Sequence, residues 1–339
     1  LSFAISLRTA TQTMASRRLG QKIFKECGVA MHNGHLLALA IGLPVSIFGF
    51  YHSYRIVPLF IENKEVAELC IAYSSVAFLS VLFSMGGFVF QGFYTGVERT
   101  KIHMNVTVTS NLLNIYLNAG LIYGRDGVQP LFDSLHVGWM GKLWAPFPFP
   151  ELGVTGAAVA TLAASVWMAL HYSFYLFEPD IRKKYHVFTF EFNKTMLWRQ
   201  IKLAFPQGFQ EMLVMIGFAT FYKIVGMIGV IELAATQVVF TILQTSFMPA
   251  AGIGQSCATL VGKFMGEKDF DKAEQSISES VRWSVIVMGT IGLIFLVFPH
   301  KILPIFTQDQ EVIRVGIIGL RILGLVQFAD AYGMTLWFA

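Results

Sequence analysis

Residues 56–71 read IVPLFIENKEVAELCI, and residues 302–317 read ILPIFTQDQEVIRVGI. Laid over one another without a gap, Ile56, Pro58, Phe60, Glu65, Val66 and Ile71 meet Ile302, Pro304, Phe306, Glu311, Val312 and Ile317, and Gly20 meets Gly266 in the same register. The offset is 246 residues. It holds across a connection and into the apolar run that follows, which suggests duplication of a whole unit, with coincidence or convergence of two helix entries as the alternative. The unit is read from those apolar runs. A bilayer core needs about 20 apolar residues per helix, because it offers no water to open backbone groups. Stretches 29–54, 69–97, 102–124, 152–177 and 233–262 contain no Lys, Arg, Asp or Glu, and 283–299 is a shorter clean run. Two more, 203–231 and 315–339, are interrupted by Glu211 and Lys223 and by Arg321 and Asp330. Residues 1–19 read as the end of a further helix, with Arg17 and Arg18 after the apolar part. The offset spans six helices, so both units enter the membrane in the same sense. The expected fold is an all-α polytopic membrane protein. It has two parallel six-helix lobes related by a pseudo-two-fold axis along the membrane normal. Both lobes are expected to be incomplete in this chain, which would lack helix 1, part of helix 2, and helices 11 and 12. The expected divisions are an N-lobe over 1–177, a basic cytoplasmic linker over 178–202 and a C-lobe over 203–339 holding helices 7–10.

Charge agrees with this reading. Only 14% of the 339 residues are charged and 55% are hydrophobic, with mean hydropathy +0.58, whereas a soluble domain carries roughly 25% charged residues. A soluble enzyme is excluded. The net charge of +4 does not argue for nucleic acid, since the basic residues sit in short connections beside apolar runs. Alternate connections hold 16 and 6 Lys and Arg, which places residues around 17–25, 99–101, 182–202 and 263–282 in the cytoplasm. Cys27, in a presumed loop, and Cys70 and Cys257, in spans, form neither a disulfide framework nor a metal-ligand spacing.

The strings LGVTGAAVAT at 152–161, GIGQSCATLVG at 252–262 followed by Gly266 and Ala273, and QFADA at 327–331 resemble the multidrug and toxic compound extrusion (MATE) transporters, in order along nearly the whole chain. The resemblance implies two lobes around a central cavity, rocker-type alternating access, and export of amphipathic compounds driven by inward flow of protons or sodium ions.

Asp330 is the foremost candidate residue. A carboxylate near the middle of a span is costly unless it meets a cation, a proton or a wet cavity. Permanent pairing with Arg321 is the alternative, but nine residues of helix put the two on opposite faces. The resemblance assigns Asp330, in its Gln-x-x-Asp-Ala context, to a cation-coupling site. Glu211 enters from the cytoplasmic side to a comparable depth, and two acids at one depth can share a proton or cation. Family members with a coupling glutamate carry it a turn later, at Val214 here, and sodium-coupled members often have a tyrosine at the position of Val326. Glu211 therefore stays open between coupling and an interfacial role. Gln237, Thr241, Gln244, Met248, Gly252, Gln255 and Thr259 form a stripe on one helix face, which either lines a cavity or makes interhelical hydrogen bonds. Thr107, Asn111, Asn114 and Asn118 form a second stripe. The resemblance groups Asn114, Asn118 and Thr161 as an N-lobe cation site, with Asn118 standing where such members carry an aspartate. Trp139, Trp144, Phe147 and Phe149, in the long external connection 125–151, suit a headgroup region. His32, His35, His103, His171 and His186 read as interfacial.

The expectation is a secondary active antiporter that exports amphipathic, cationic organic compounds in exchange for protons or sodium ions. It would be no enzyme, need no cofactor beyond the coupling ion, and act as a monomer in the plasma membrane, the inner membrane if the source is bacterial. Its partners would be a small-molecule substrate, the coupling cation and the bilayer. A flippase for lipid-linked precursors is the alternative, and would call for a basic cavity lining.

Overall fold

The computed structural model describes residues 2–338 apart from 62, 135, 137, 145 and 147, and apart from the side chains of Leu131 and Met140. Among the described residues every regular element is helical: α1 (Ser2–Gly20), α2 (Phe24–Ile56), α3 (Lys64–Gly96), α4 (Thr100–Ser134), α5 (Gly138–Gly141), α6 (Gly153–Tyr175), α7 (Pro179–Tyr185), α8 (Lys194–Ile228), α9 (Val230–Glu267), α10 (Phe270–Val297), α11 (Pro299–Phe306) and α12 (Gln310–Phe338), with a 3-10 turn at Val57–Leu59. Seven of them, α2, α3, α6, α8, α9, α10 and α12, are long and apolar enough to cross a membrane. The α4 helix falls short because Thr107, Asn111, Asn114 and Asn118 dilute its apolar run.

The sequence repeat recurs in the element boundaries. Helices α2 and α10 start at Phe24 and Phe270, and α3 and α12 at Lys64 and Gln310, each pair 246 residues apart. The starts have a shared cause. The Asn63 side chain accepts from the backbone N–H groups of Glu65 (3.0 Å) and Val66 (3.3 Å). Asp309, its equivalent, accepts from Glu311 (2.9 Å) and Val312 (3.3 Å). Each cap satisfies donors that the helix leaves open.

The chain divides into two compact units, 1–15 with 24–206 and 16–23 with 207–339. In the first, α3 packs on α2 and α6, and α6 on α4. Gly92 admits the backbone of Arg8 where a Cβ would collide with it. Tyr94 and Tyr172 stack at 5.6 Å, and the Tyr94 hydroxyl donates to the Tyr172 carbonyl (2.9 Å). The basic connection after α6 is a strap bound to α2. Gly28 lies against the Tyr185 carbonyl, Asn33 Nδ2 donates to the Asn193 carbonyl (3.1 Å), Gln200 Nε2 donates to the Ala30 carbonyl (2.8 Å), and Lys25 pairs with Glu191. Burial pushes the Tyr185 hydroxyl up to about 12, so it stays a neutral packing group throughout the physiological range.

Gly124, at φ 67°, reverses the chain after the first part of α4, a conformation that suits glycine. The external connection then folds back. Trp144 is 4% exposed, stacks on Tyr116 (4.9 Å) and Phe132 (5.0 Å), and donates from Nε1 to the Tyr116 carbonyl (2.7 Å). It is thus a packed plug and not a headgroup anchor, while Trp139 is exposed, Phe149 lies against Gly120, and Phe147 lies outside the described residues. Other expectations are also corrected. Cys27 is helical and buried. His32 is buried and bonds the Val187 carbonyl (2.8 Å), and His103 bonds the Tyr172 hydroxyl (2.7 Å). His32 ties α2 to the strap through one ring nitrogen, and His103 ties α4 to α6 and, through its second nitrogen, to Gln91 of α3 (3.0 Å).

In the second unit Val239, Ile242, Phe295, Leu303, Ile313 and Leu320 form the larger core cluster, and Ala250, Met288 and Ala331 a smaller one. The end of α1 meets the end of α9 reciprocally. Gly20 lies against the Lys263 backbone and Gly266 against the Arg17 backbone, and both pairs obey the 246-residue offset. Contact of i with j and of the equivalents of j with i is what a local two-fold produces.

Candidate functional site

The middle of α12 is fixed by one buried stripe, Leu320, Gly324, Gln327, Ala331 and Thr335. Gln327 Nε2 donates to Ser246 Oγ on α9 (3.1 Å), and Thr335 Oγ1 donates to Ser284 Oγ on α10 (2.7 Å). Gly292 and Gly324 allow α10 and α12 to approach at backbone distance. These contacts set the rotation of α12, and Asp330 therefore points away from α10 toward the side on which α8 lies.

There it opens into a cavity of about 440 Å³ lined by Glu211 and Val214 of α8, Phe247 of α9, and Asp330, Gly333, Met334, Trp337 and Phe338 of α12. Both acids singled out in the sequence thus line one space inside the second unit. Val214, where the resemblance places a coupling glutamate, lines the same space, so a carboxylate at either position reaches it. Arg321 is exposed. The ion pairs between Lys25 and Glu191, Arg99 and Asp180, Lys272 and Asp269, and Arg282 and Glu279 lie in or beside the connections; Asp330 and Arg321 belong to none of these four. Apart from Val214 and Gly333, the rest of the lining is aromatic or thioether. Two acids with ring and sulfur walls form a chamber suited to a cation, inorganic or organic.

The remaining candidates are placed as follows. Gln237, Thr241 and Gln244 lie on an exposed face of α9, where Thr241 Oγ1 donates to its own helix at the Gln237 carbonyl (2.8 Å). Ser246, on the same helix, does bond between helices, accepting from Gln327. Asn118 Nδ2 donates to Asn114 Oδ1 (2.9 Å). Thr161 donates to the Ala157 carbonyl (2.9 Å) and lines a separate pocket of about 360 Å³ with Tyr73, Ser74, Ser80 and Ser84 of α3. Asn114 and Asn118 are not among the residues lining it. Gln327 entered the sequence reading only as part of the QFADA string, and Ser246, Ser284, Thr335 and the ring walls Phe247 and Trp337 were not singled out there. The spacing of 3, 4 and 4 from Gly324 to Thr335 is the signal that marks the buried polar pair.

The MatE family model matches residues 1–119 and 206–337. The chain is 28% identical over 255 residues to the probable multidrug resistance protein NorM of Thermotoga maritima, covering 73% of this chain and 49% of that protein. It is 22% identical over 324 residues to the probable multidrug resistance protein YoeA of Bacillus subtilis, covering 93% and 64%. It therefore spans about half to two thirds of the length of these curated relatives. The outward-facing structure of a multidrug resistance MATE family transporter of the MOP superfamily shares its fold, with TM-score 0.83 and 19% identity over 99% of this chain and 70% of that one. The matched segments take in α8 from residue 206 through most of α12, which build the Glu211–Asp330 chamber, as well as α1–α3 and the whole Asn-rich stripe of α4, and the chain belongs to the MatE family.

Proposed function

We propose that the protein is a secondary active antiporter that exports amphipathic organic cations across the plasma membrane in exchange for protons or sodium ions. The observation that carries this is the shared chamber of Glu211 and Asp330. A ligand drives a conformational change only through different affinities for two states. Two carboxylates facing one membrane-embedded space supply that difference, because a proton or cation held between like charges relieves a repulsion that returns when it leaves. Phe247, Met334 and Trp337 supply the apolar and ring surface that an amphipathic cation needs. The acidic lining supports this reading over flipping of a lipid-linked precursor, whose phosphates call for basic side chains. No step makes or breaks a covalent bond, and no cofactor is required beyond the coupling ion.

The test is ethidium export from proteoliposomes under a proton gradient alone, a sodium gradient alone, and neither. Export is expected under one gradient and absent without any. Equal export in all three would overturn the antiport reading.

A further inference from the structure

The strap and the start of α8 each have an inner side that fixes the outer one. In the strap, Val187 is buried with its carbonyl on His32, Glu191 pairs with Lys25 and Asn193 bonds Asn33. Between these attachments Phe188, Phe190 and Phe192 turn the other way. Phe188 meets Phe177 at 5.0 Å and carries the Arg182 guanidinium 5.5 Å from its ring, and Phe190 touches the His32 ring at 5.5 Å. In α8, Met196, Gln200 and Ala204 are buried at a spacing of four. Lys194, Trp198 and Lys202 recur at the same spacing on the opposite, exposed face, with Lys202 Nζ 5.8 Å from the Trp198 ring. The outward sense of these side chains is therefore set by the bonds on their inner side.

The charge left on the outer side is positive. The strap carboxylates Asp180 and Glu191 are bound to Arg99 and Lys25 of the helices, and Lys184 is folded over the Phe24 ring (4.4 Å). Lys183, Lys194 and Lys202 are exposed and belong to none of the four ion pairs named above. Position supplies the partner. The strap joins the end of one apolar helix, α6, to the start of another, α8. At 35 residues, α8 is about 50 Å long, against a hydrocarbon core of about 30 Å, and its charge-free run begins only at 203. Lys194, Trp198 and Lys202 thus fall at headgroup depth, where an indole suits the boundary and an ammonium meets phosphate. The excess of basic residues predicts the cytoplasmic side, whose leaflet carries anionic lipid.

We infer that the outer face of the strap and the first turns of α8 bind the headgroup of an anionic phospholipid, with its phosphate at Lys194 and Lys202 and its glycerol region against Trp198. Arg182 and Lys183 extend the same positive surface along the strap. The site is built wholly from the first unit and is independent of the export proposed above.

The probe is phosphatidylglycerol with brominated chains, compared with brominated phosphatidylcholine, each at the same trace fraction in phosphatidylcholine vesicles holding the full chain. Bromine quenches indole emission on contact, and the part due to Trp198 is the difference between the protein and its Trp198→Phe variant. Phosphatidylglycerol should be enriched beside Trp198 about fivefold, which is what one basic side chain supplies near opposite surface charge. Lys194→Gln combined with Lys202→Gln, read against the same pair with Trp198→Phe, should bring the two lipids close to parity. On the unaltered protein, about 1 M potassium chloride should do the same, because it shortens the screening length to about 3 Å; this arm carries the test if the lysine variant does not insert. Equal quenching by the two lipids, or an enrichment that persists in the lysine variant or in salt, would overturn the site. Glycerol phosphate, compared with chloride at matched ionic strength, should leave the enrichment unchanged. Displacement by it would give these lysines to a soluble anion and overturn the lipid assignment. Because no transport is measured, failure of antiport would leave this result untouched, and failure of lipid binding would leave antiport untouched.

Discussion

Asp330 sits one turn beyond Gln327, and the two divide the work of α12. Gln327 is fully buried and ties the helix to Ser246, while Asp330 faces the chamber it shares with Glu211. Asp330→Asn keeps size and polarity but cannot gain and lose a charge. It is expected to lower gradient-driven export by about tenfold or more while the protein remains inserted, read as ethidium efflux at matched expression. Glu211→Gln is expected to cost only a few-fold, since Asp330 keeps its carboxyl group in the shared chamber. Wild-type export by Asp330→Asn would make that residue structural. Gln327→Leu should instead act on stability, by about 1–3 kcal/mol, measured as a lowered midpoint of thermal unfolding in detergent. The two acids were legible in the sequence because a charge inside an apolar run stands out. Gln327, Ser284 and Thr335 were not, because neutral polar residues are common in spans and their partners lie 51 and 81 residues away. The lining rings were hidden for a related reason, since which of them face a cavity depends on helix rotation, set by packing.

At the scale of elements, the repeat preserves boundaries more faithfully than side chains. Asn63 and Asp309 cap equivalent helices, yet bulk has moved between partners. Gly49 of α2 lies directly against the Phe78 ring of α3, while the equivalents are Phe295 on α10, in the core, and Gly324 on α12. Gly49→Phe alone should therefore overpack the α2–α3 contact and cost about 1–3 kcal/mol. Adding Phe78→Gly should restore part of it, giving a coupling of about 1 kcal/mol or more in a double-mutant cycle of unfolding. Strictly additive losses would show that the two positions do not share one packing site. The long spans were readable from their missing charges, and the caps agree with them. The strap was readable only as a basic stretch, because its grip on α2 depends on Gly28, Asn33 and Ala30, none of which looks like a docking residue in isolation.

For the whole molecule, the asymmetry of basic residues predicts that the strap and the α9–α10 connection face the cytoplasm. In a Cys70→Ala background, whose other cysteines are buried, Lys183→Cys should resist a membrane-impermeant maleimide added to intact cells, and Lys142→Cys should react. Reversed labelling would invert the topology. The all-helical membrane fold was legible because lipid forces whole helices and because duplication writes each boundary twice. The fold-back of the external connection was not, since it turns on the conformation of one glycine and on an indole finding a carbonyl 28 residues away.

The strap has a practical consequence. Exposed Thr189 lies between His32's partner Val187 and the residues that grip α2 from the other side, Glu191, Asn193, Met196 and Gln200. A peptide bond cut there severs the polypeptide but none of those attachments. Two co-expressed fragments, 1–189 and 190–339, would then find each other without the covalent link, and would co-purify through a tag on either one.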